Sequence, residues 1–212
     1  MTPPTNRWVL YTAPNTCALA THIALREAGA DVDIVVLDFK AQQQQSAEYL
    51  AVNPKGRVPA LKTPQGVITE TPALLAFVAQ SFPQAGLAPL DDPYAFAQLQ
   101  AFNGYLASTV HVAHAHRFRG ARWADDPAAL ESMRAKVPQT MTACAQLLEE
   151  GLSGPWALGE RYSVADAYLY TVASWLEGDG VDTGRFPRLM AHQERMSQRP
   201  AVQRALAEAA PR

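Results

Sequence analysis

Cys17 stands directly after Pro14-Asn15-Thr16, between a short apolar run and the first stretch of helical spacing. A thiol that opens a helix faces unpaired N–H groups and the positive end of the helix dipole, and both favour the thiolate. An ordinary thiol, with a pKa of about 8.5, is mostly protonated at neutral pH, and helix N-termini bring that value down to roughly 3.5–7.5. The same position equally suits a small buried cysteine that packs as a hydrophobe. No second cysteine lies three residues on, so thiol exchange at Cys17 needs an outside thiol to resolve it.

Two further segments carry ligand-binding character. Asn53-Pro54-Lys55-Gly56-Arg57-Val58-Pro59 precedes a strand; the glycine permits a tight turn, and an X-Pro bond that is cis leaves the Val58 backbone free to pair with an extended ligand. Glu70-Thr71-Pro72 ends a strand and starts a helix, with Thr71 as N-cap and Pro72 at the first helical position. Such a site is either a plain cap or a receptor, its N-terminus taking a carboxylate while Glu70 takes an ammonium group. Together those contacts would recognise the free α-amino-acid end of a small peptide. His111, His114 and His116 fall within one helical stretch, the first two on one face. No cysteine or carboxylate completes a coordination set nearby, so no metal is expected and a pocket wall or polar face is the reading. Arg117, Arg119 and Arg122 read as a solvated face or helix-end charges, and Trp175 as an aromatic near a pocket.

The elements that must position these residues divide at 82–93, where three prolines, a glycine and two aspartates fall within twelve residues. Upstream, Trp8 to Thr12 reads as a strand, Cys17 to Ala28 as a helix ended by Gly29, and Ile34 to Leu37 as a strand. A weak helix at 46–52, strands at 58–62 and 67–69, and a helix over 71–81 complete the order βαβ, α, ββα. Downstream, 94–119, 126–151, 163–177 and 187–208 all repeat apolar residues at helical intervals. Ser163-Val164-Ala165-Asp166 is a short relative of the capping box and reads as structural.

Composition bounds the setting. The chain has 212 residues, 48% of them hydrophobic, with 18 Lys+Arg against 20 Asp+Glu. A net charge of -2 supplies no basic footprint, so neither nucleic acid nor an anionic membrane surface is an expected partner. No apolar stretch approaches the ~20 residues that span a bilayer, and 1–7 lacks an apolar leader core, which points to the cytoplasm. Two cysteines, Cys17 and Cys144, are too few for a disulfide framework in so long a chain.

The pattern resembles the cytosolic glutathione S-transferases, most closely their bacterial, cysteine-containing beta class. The resemblance rests on Ala13-Pro14-Asn15-Thr16-Cys17 with its following helix, the 53–61 loop, Ile68-Thr69-Glu70-Thr71, Leu106-Ala107-Ser108-x-Val110-His111, Ser163 to Tyr170, and the run 199–206. It implies a thioredoxin-like N-terminal domain (1–84) that binds glutathione as co-substrate, and an all-helical domain (92–212) that supplies a hydrophobic co-substrate pocket. It further implies a homodimer acting in detoxification on small hydrophobic electrophiles. By position, Cys17, Thr16 and His111 would be catalytic. Cys17, Gln42, Val58, Pro59, Glu70, Thr71, Ser108 and His111 would bind glutathione, while Tyr11, His114 and Trp175 would wall the electrophile. Three positions depart from the pattern. Thr12 stands where the class often has tyrosine, Gln42 falls near a lysine that meets the glycine end of glutathione, with Lys40 as a surrogate, and Gly104, beside Asn103, replaces an interface asparagine. Conjugation of glutathione is the leading expectation. The alternatives are a glutaredoxin-like thiol transferase using Cys17 and a non-catalytic ligand-binding homologue.

Overall fold

Strand-forming sequence is confined to the first 70 residues, where it alternates with helix, and so are the strands among the described residues. The computed structural model describes residues 7–210; the stretch 1–6 lies outside them. β1 (Trp8–Thr12), α1 (Ala18–Glu27), β2 (Val32–Val36), α2 (Ala47–Val52), β3 (Ala60–Thr63), β4 (Gly66–Thr69) and α3 (Thr71–Ser81) follow the expected order. The sheet runs β2-β1-β3-β4, with β1 and β2 parallel and the other pairs antiparallel, which is the thioredoxin-like arrangement. Strand β2 starts two residues earlier than its β-branched run suggested, pairing Val32 with Trp8.

Helix α1 is buried along most of its length, from Ala18 through Leu25, because it serves two sides. Its small residues let it lie close to the sheet and α3, while Ile23 packs with Ala167, Met196 and Val202 of the helical part. Two ionic contacts reinforce that junction. Arg26 Nε donates to Glu208 Oε2 at 2.7 Å, where His22 Nε2 also meets it at 2.8 Å, and Arg199 grips Glu27 with two nitrogens. Burial alone would raise the Glu208 pKa, but the donors on Arg204, His22 and Arg26 outweigh it and hold the carboxyl at about 2.

The helical part comprises α4 (Pro93–Tyr105), α5 (His111–Arg119), α6 (Pro127–Gly151), α7 (Val164–Ala173), α8 (Pro187–Ser197) and α9 (Pro200–Ala209). Asp92 and Asp126 cap α4 and α6, each followed by proline at the first helical position. A π-turn, Leu106–Val110, joins α4 to α5 without a break. Two expected helices differ from the structure. The stretch 187–208 is two helices, because Pro200 cannot donate into a continuing helix and holds Arg199 extended, at φ −73° and ψ 131°. Helix α7 stops at Ala173, where the Ser174 hydroxyl donates to the Thr171 carbonyl at 2.7 Å.

Every residue of α7 is buried, and its N-terminus is the polar centre of the domain. Asp166 returns to the Ser163 N–H at 2.7 Å, Ser163 Oγ accepts from the Ala165 N–H at 3.3 Å, and Asp166 also accepts from the Ala157 N–H at 2.6 Å. Among the described residues, no helix is long and apolar enough to cross a membrane.

Candidate functional site

A cavity of about 370 Å³ opens where the start of α1, the loop before β3, the start of α3 and the length of α5 meet. Asn15, at φ +55°, turns the chain out of β1; asparagine tolerates this left-handed conformation better than most residues. Thr16 and Cys17 then line the cavity. The Thr16 hydroxyl donates to the Ala13 carbonyl at 2.7 Å, and Cys17 Sγ donates to the Val58 carbonyl at 3.6 Å. Burial pushes the Cys17 thiol up, against the opposing influence of Thr71 and Arg119. Of the two readings of this position, the small buried cysteine is the one its surroundings favour, since Cys17 is only 8% exposed.

The loop facing Cys17 is fixed from behind. The Tyr49 hydroxyl and Asn53 Nδ2 both donate to the Arg57 carbonyl at 2.6 Å, and Gly56 takes φ +59° with Gln45 so close that a Cβ would collide. The Val58–Pro59 bond is cis. Val58 N–H has no partner among the described residues, and Val58 lines the cavity with its carbonyl next to the Cys17 sulfur.

Glu70 sits at φ +72°, a conformation non-glycine residues adopt only when their surroundings impose it. It, rather than Thr71, is the N-cap of α3, which places Thr71 and Pro72 in the first turn. The Glu70 side chain makes no capping bond; Lys55 Nζ instead donates to its Oε1 at 2.5 Å and to Thr69 Oγ1 at 2.7 Å. The helix thus presents its positive end to the cavity next to a carboxylate that has already attracted one ammonium group.

Helix α5 forms the opposite wall. Burial, then the positive surroundings of His114, Arg119, Arg122 and Arg57, lowers the His111 pKa to about 4, so its imidazole is neutral at physiological pH. His114 stacks on Trp175 with ring centroids 4.3 Å apart, and its Nδ1 lies 2.7 Å from Asp179 Oδ2. Tyr168 of α7 closes the floor, its phenol pushed up by burial. Among the described residues, no group of three or more His, Cys, Asp and Glu side chains could hold a metal ion.

Of the expected site residues, Thr16, Cys17, Val58, Pro59, Glu70, Thr71, His111, His114 and Trp175 all line this cavity. Three do not. Tyr11 turns to the other face of β1 and packs its ring on Tyr49 at 5.4 Å; Gln42 is exposed on its loop; and Ser108 is exposed, its hydroxyl donating to the Gly104 carbonyl at 2.8 Å. Thr12, fully buried in the sheet, has no path to the cavity either. Sequence reasoning missed Tyr168, Arg57, Arg119 and Arg122, all of which line it. Arg119 is the last residue of α5 and Arg122 is exposed in the turn that follows, as a helix-end and solvated-face reading expects, and both also border the cavity.

Comparison with known proteins decides the family. The model of the glutathione S-transferase N-terminal domain matches residues 8–80 and that of the C-terminal domain matches 115–209. Glutathione S-transferase GstA of Escherichia coli O157:H7 is 34% identical over 201 residues, covering 93% of this chain and 96% of that protein. The chain belongs to the glutathione S-transferase family. A glutathione transferase homologue from Sulfitobacter, solved with bound glutathione, shares 46% identity at a TM-score of 0.93, covering 96% of this chain and 99% of that one. The bacterial beta class glutathione S-transferase of Sphingomonas chungbukensis shares 34% identity at a TM-score of 0.83, covering 94% and 98%. The thioredoxin-like sheet with its helical partner is the fold of this glutathione S-transferase family member, and its enzymatic class is that of a transferase.

Proposed function

We propose that the cavity binds glutathione and that the chain joins its sulfur to a small electrophile held against α5. The observation that carries this reading is the grouping of an open Val58 N–H beside Cys17 with the free N-terminus of α3 and the Glu70 carboxylate. The N–H groups of the first turn of α3, with the Thr71 hydroxyl, receive the γ-glutamyl carboxylate. Glu70 takes the ammonium group after exchanging it for Lys55. Val58 pairs by backbone with the cysteinyl unit, bringing the glutathione sulfur between Cys17 and His111.

A neutral His111 hydrogen-bonds the sulfur without carrying the proton, and the positive field of Arg57, Arg119 and Arg122 favours the thiolate. The chain then supplies proximity: it holds sulfur and electrophilic carbon together while the thiol proton leaves to water. The expected assembly is a cytoplasmic homodimer, which light scattering of the purified protein checks.

The deciding experiment is calorimetric titration of reduced glutathione into the wild type and Glu70→Gln. Saturable binding that weakens roughly tenfold or more in the variant is expected, as for loss of a charged hydrogen bond. No binding at millimolar glutathione sinks the reading. One observation favours thiol transfer as a second reading: Cys17 Sγ lies at the cavity wall, 3.6 Å from the Val58 carbonyl. There Cys17 would attack a disulfide sulfur, and a second glutathione would release the mixed disulfide. In Cys17→Ala, lost thiol transfer with retained conjugation separates the two reactions.

A further inference from the structure

The arginines of the cavity contrast with three arginines elsewhere in the molecule. Arg26, Arg117 and Arg199 are each held by a carboxylate. Arg57, Arg119 and Arg122 line one cavity, and none has an ion pair or side-chain hydrogen bond among the described residues. The one carboxylate in the lining is Glu70, engaged by Lys55 at the end where α3 begins. Three guanidinium groups therefore converge on shared space with nothing to neutralise them. Burial, then the neighbouring Arg119 and Arg57, pushes the Arg122 pKa down. An anion placed among them would relieve that repulsion and accept charge-assisted, bidentate hydrogen bonds.

Placement tells which anion. Arg119 and Arg122 stand on the helical side with the aromatic surfaces of Phe118, Trp123 and Trp175, of which Phe118 is 70% and Trp123 48% exposed. A flat apolar body against those rings would carry an acidic substituent into reach of the guanidinium groups. Building on the glutathione reading above, we propose that the co-substrate pocket selects aromatic electrophiles bearing a carboxylate. Helix-end stabilisation alone does not account for the arrangement, since Arg122 lies past the end of α5 and still lines the cavity.

The test pairs chlorodinitrobenzene with its acidic congener chlorodinitrobenzoate at saturating glutathione, using the full chain and correcting each rate for the uncatalysed reaction. In both cases the glutathione sulfur bonds to the ring carbon, the carbon–chlorine bond breaks with its electron pair to release chloride, and the thiol proton goes to solvent. The expected KM is roughly tenfold lower for the benzoate, a difference that shrinks at high salt. In Arg119→Gln/Arg122→Gln that preference falls toward unity. Binding supplies a second readout that needs no turnover: quenching of tryptophan fluorescence by unreactive dinitrobenzoate against dinitrobenzene, in the presence of glutathione, must show the same preference. Equal affinity for the two ligands overturns the proposal. So does a double variant that keeps the preference and instead loses glutathione affinity, which would assign the arginines to the glycine carboxylate of glutathione. Absence of turnover with a retained dinitrobenzoate preference supports the anion site and counts against the transferase reading alone.

Discussion

Asp166 and the cavity arginines treat charge in opposite ways, although α7 borders both. Asp166 is wholly buried, and it accepts from the Ala157 N–H, the Ser163 N–H, the Ser163 hydroxyl and His192 Nε2. Its oxygens are saturated by the protein, so the group is a rivet holding the 157–163 segment and α8 to α7. Arg57, Arg119 and Arg122 are left with donors to spare in a space that water or a ligand can enter. A balanced polar cluster specifies the chain's own path; an unbalanced one is capacity held for something else.

The largest expected effect comes from breaking the balanced cluster. Asp166→Ala orphans several buried donors and should cost about 3–5 kcal/mol, lowering the thermal midpoint by roughly 10 °C. A midpoint within a degree or two of wild type would mean that water takes over the carboxylate's role.

Acid should disturb the unbalanced side next. His111 remains neutral in the folded protein down to about pH 4, whereas the unfolded imidazole takes up its proton near 6.5. The unfolded state therefore binds more protons between those values, and stability falls as pH drops through that window, by up to roughly 3 kcal/mol. Urea unfolding of His111→Gln at pH 5 and pH 7 should show a smaller difference than the wild type; an unchanged difference places the acid sensitivity elsewhere.

A third change sharpens the contrast within the site. Lys55 satisfies Glu70 internally in the place proposed for the ligand ammonium, and both side chains are well exposed, which makes the pair weak. Lys55→Met should tighten glutathione by up to about fivefold in calorimetry, the equivalent of an exposed ion pair. Weaker binding would instead give Lys55 a direct hold on the ligand's carboxylate. The smallest effect is expected where nothing is balanced at all. Arg119→Gln/Arg122→Gln should shift unfolding free energy by no more than about 0.5 kcal/mol, because among the described residues neither side chain gives up an ion pair or hydrogen bond. A larger loss would reveal a structural role for these side chains.

The same contrast explains what could be read in advance. A saturated cluster announces itself locally: Ser163-Val164-Ala165-Asp166 marks a helix start, because cap and partner lie within a turn of each other. Pro200 carried the break between α8 and α9, but apolar spacing that stays in phase across it disguised the interruption. Sequence left Cys17 between a thiolate and a buried thiol, because a helix dipole is visible from neighbours in sequence, whereas burial depends on residues distant along the chain. Arg119 ends α5 and Arg122 lies in the turn after it, where basic residues are common, and only the fold shows that both border the cavity. Tyr11 and Thr12 both lie within β1, one packed on Tyr49 and the other buried in the sheet, whereas the cavity begins only at Asn15, where the chain has turned out of the strand.

The π-turn at Leu106–Val110 gives the site a dependence on arithmetic. A π-turn is an α-helix with one residue too many, and each residue of a helix advances the chain by about 100° about its axis. Everything beyond position 110 is accordingly indexed one step round from where a regular continuation of α4 would set it, including His111 and His114. The aim of that wall is stored as a count along the backbone: shortening the segment by one residue would swing both imidazoles off the cavity together.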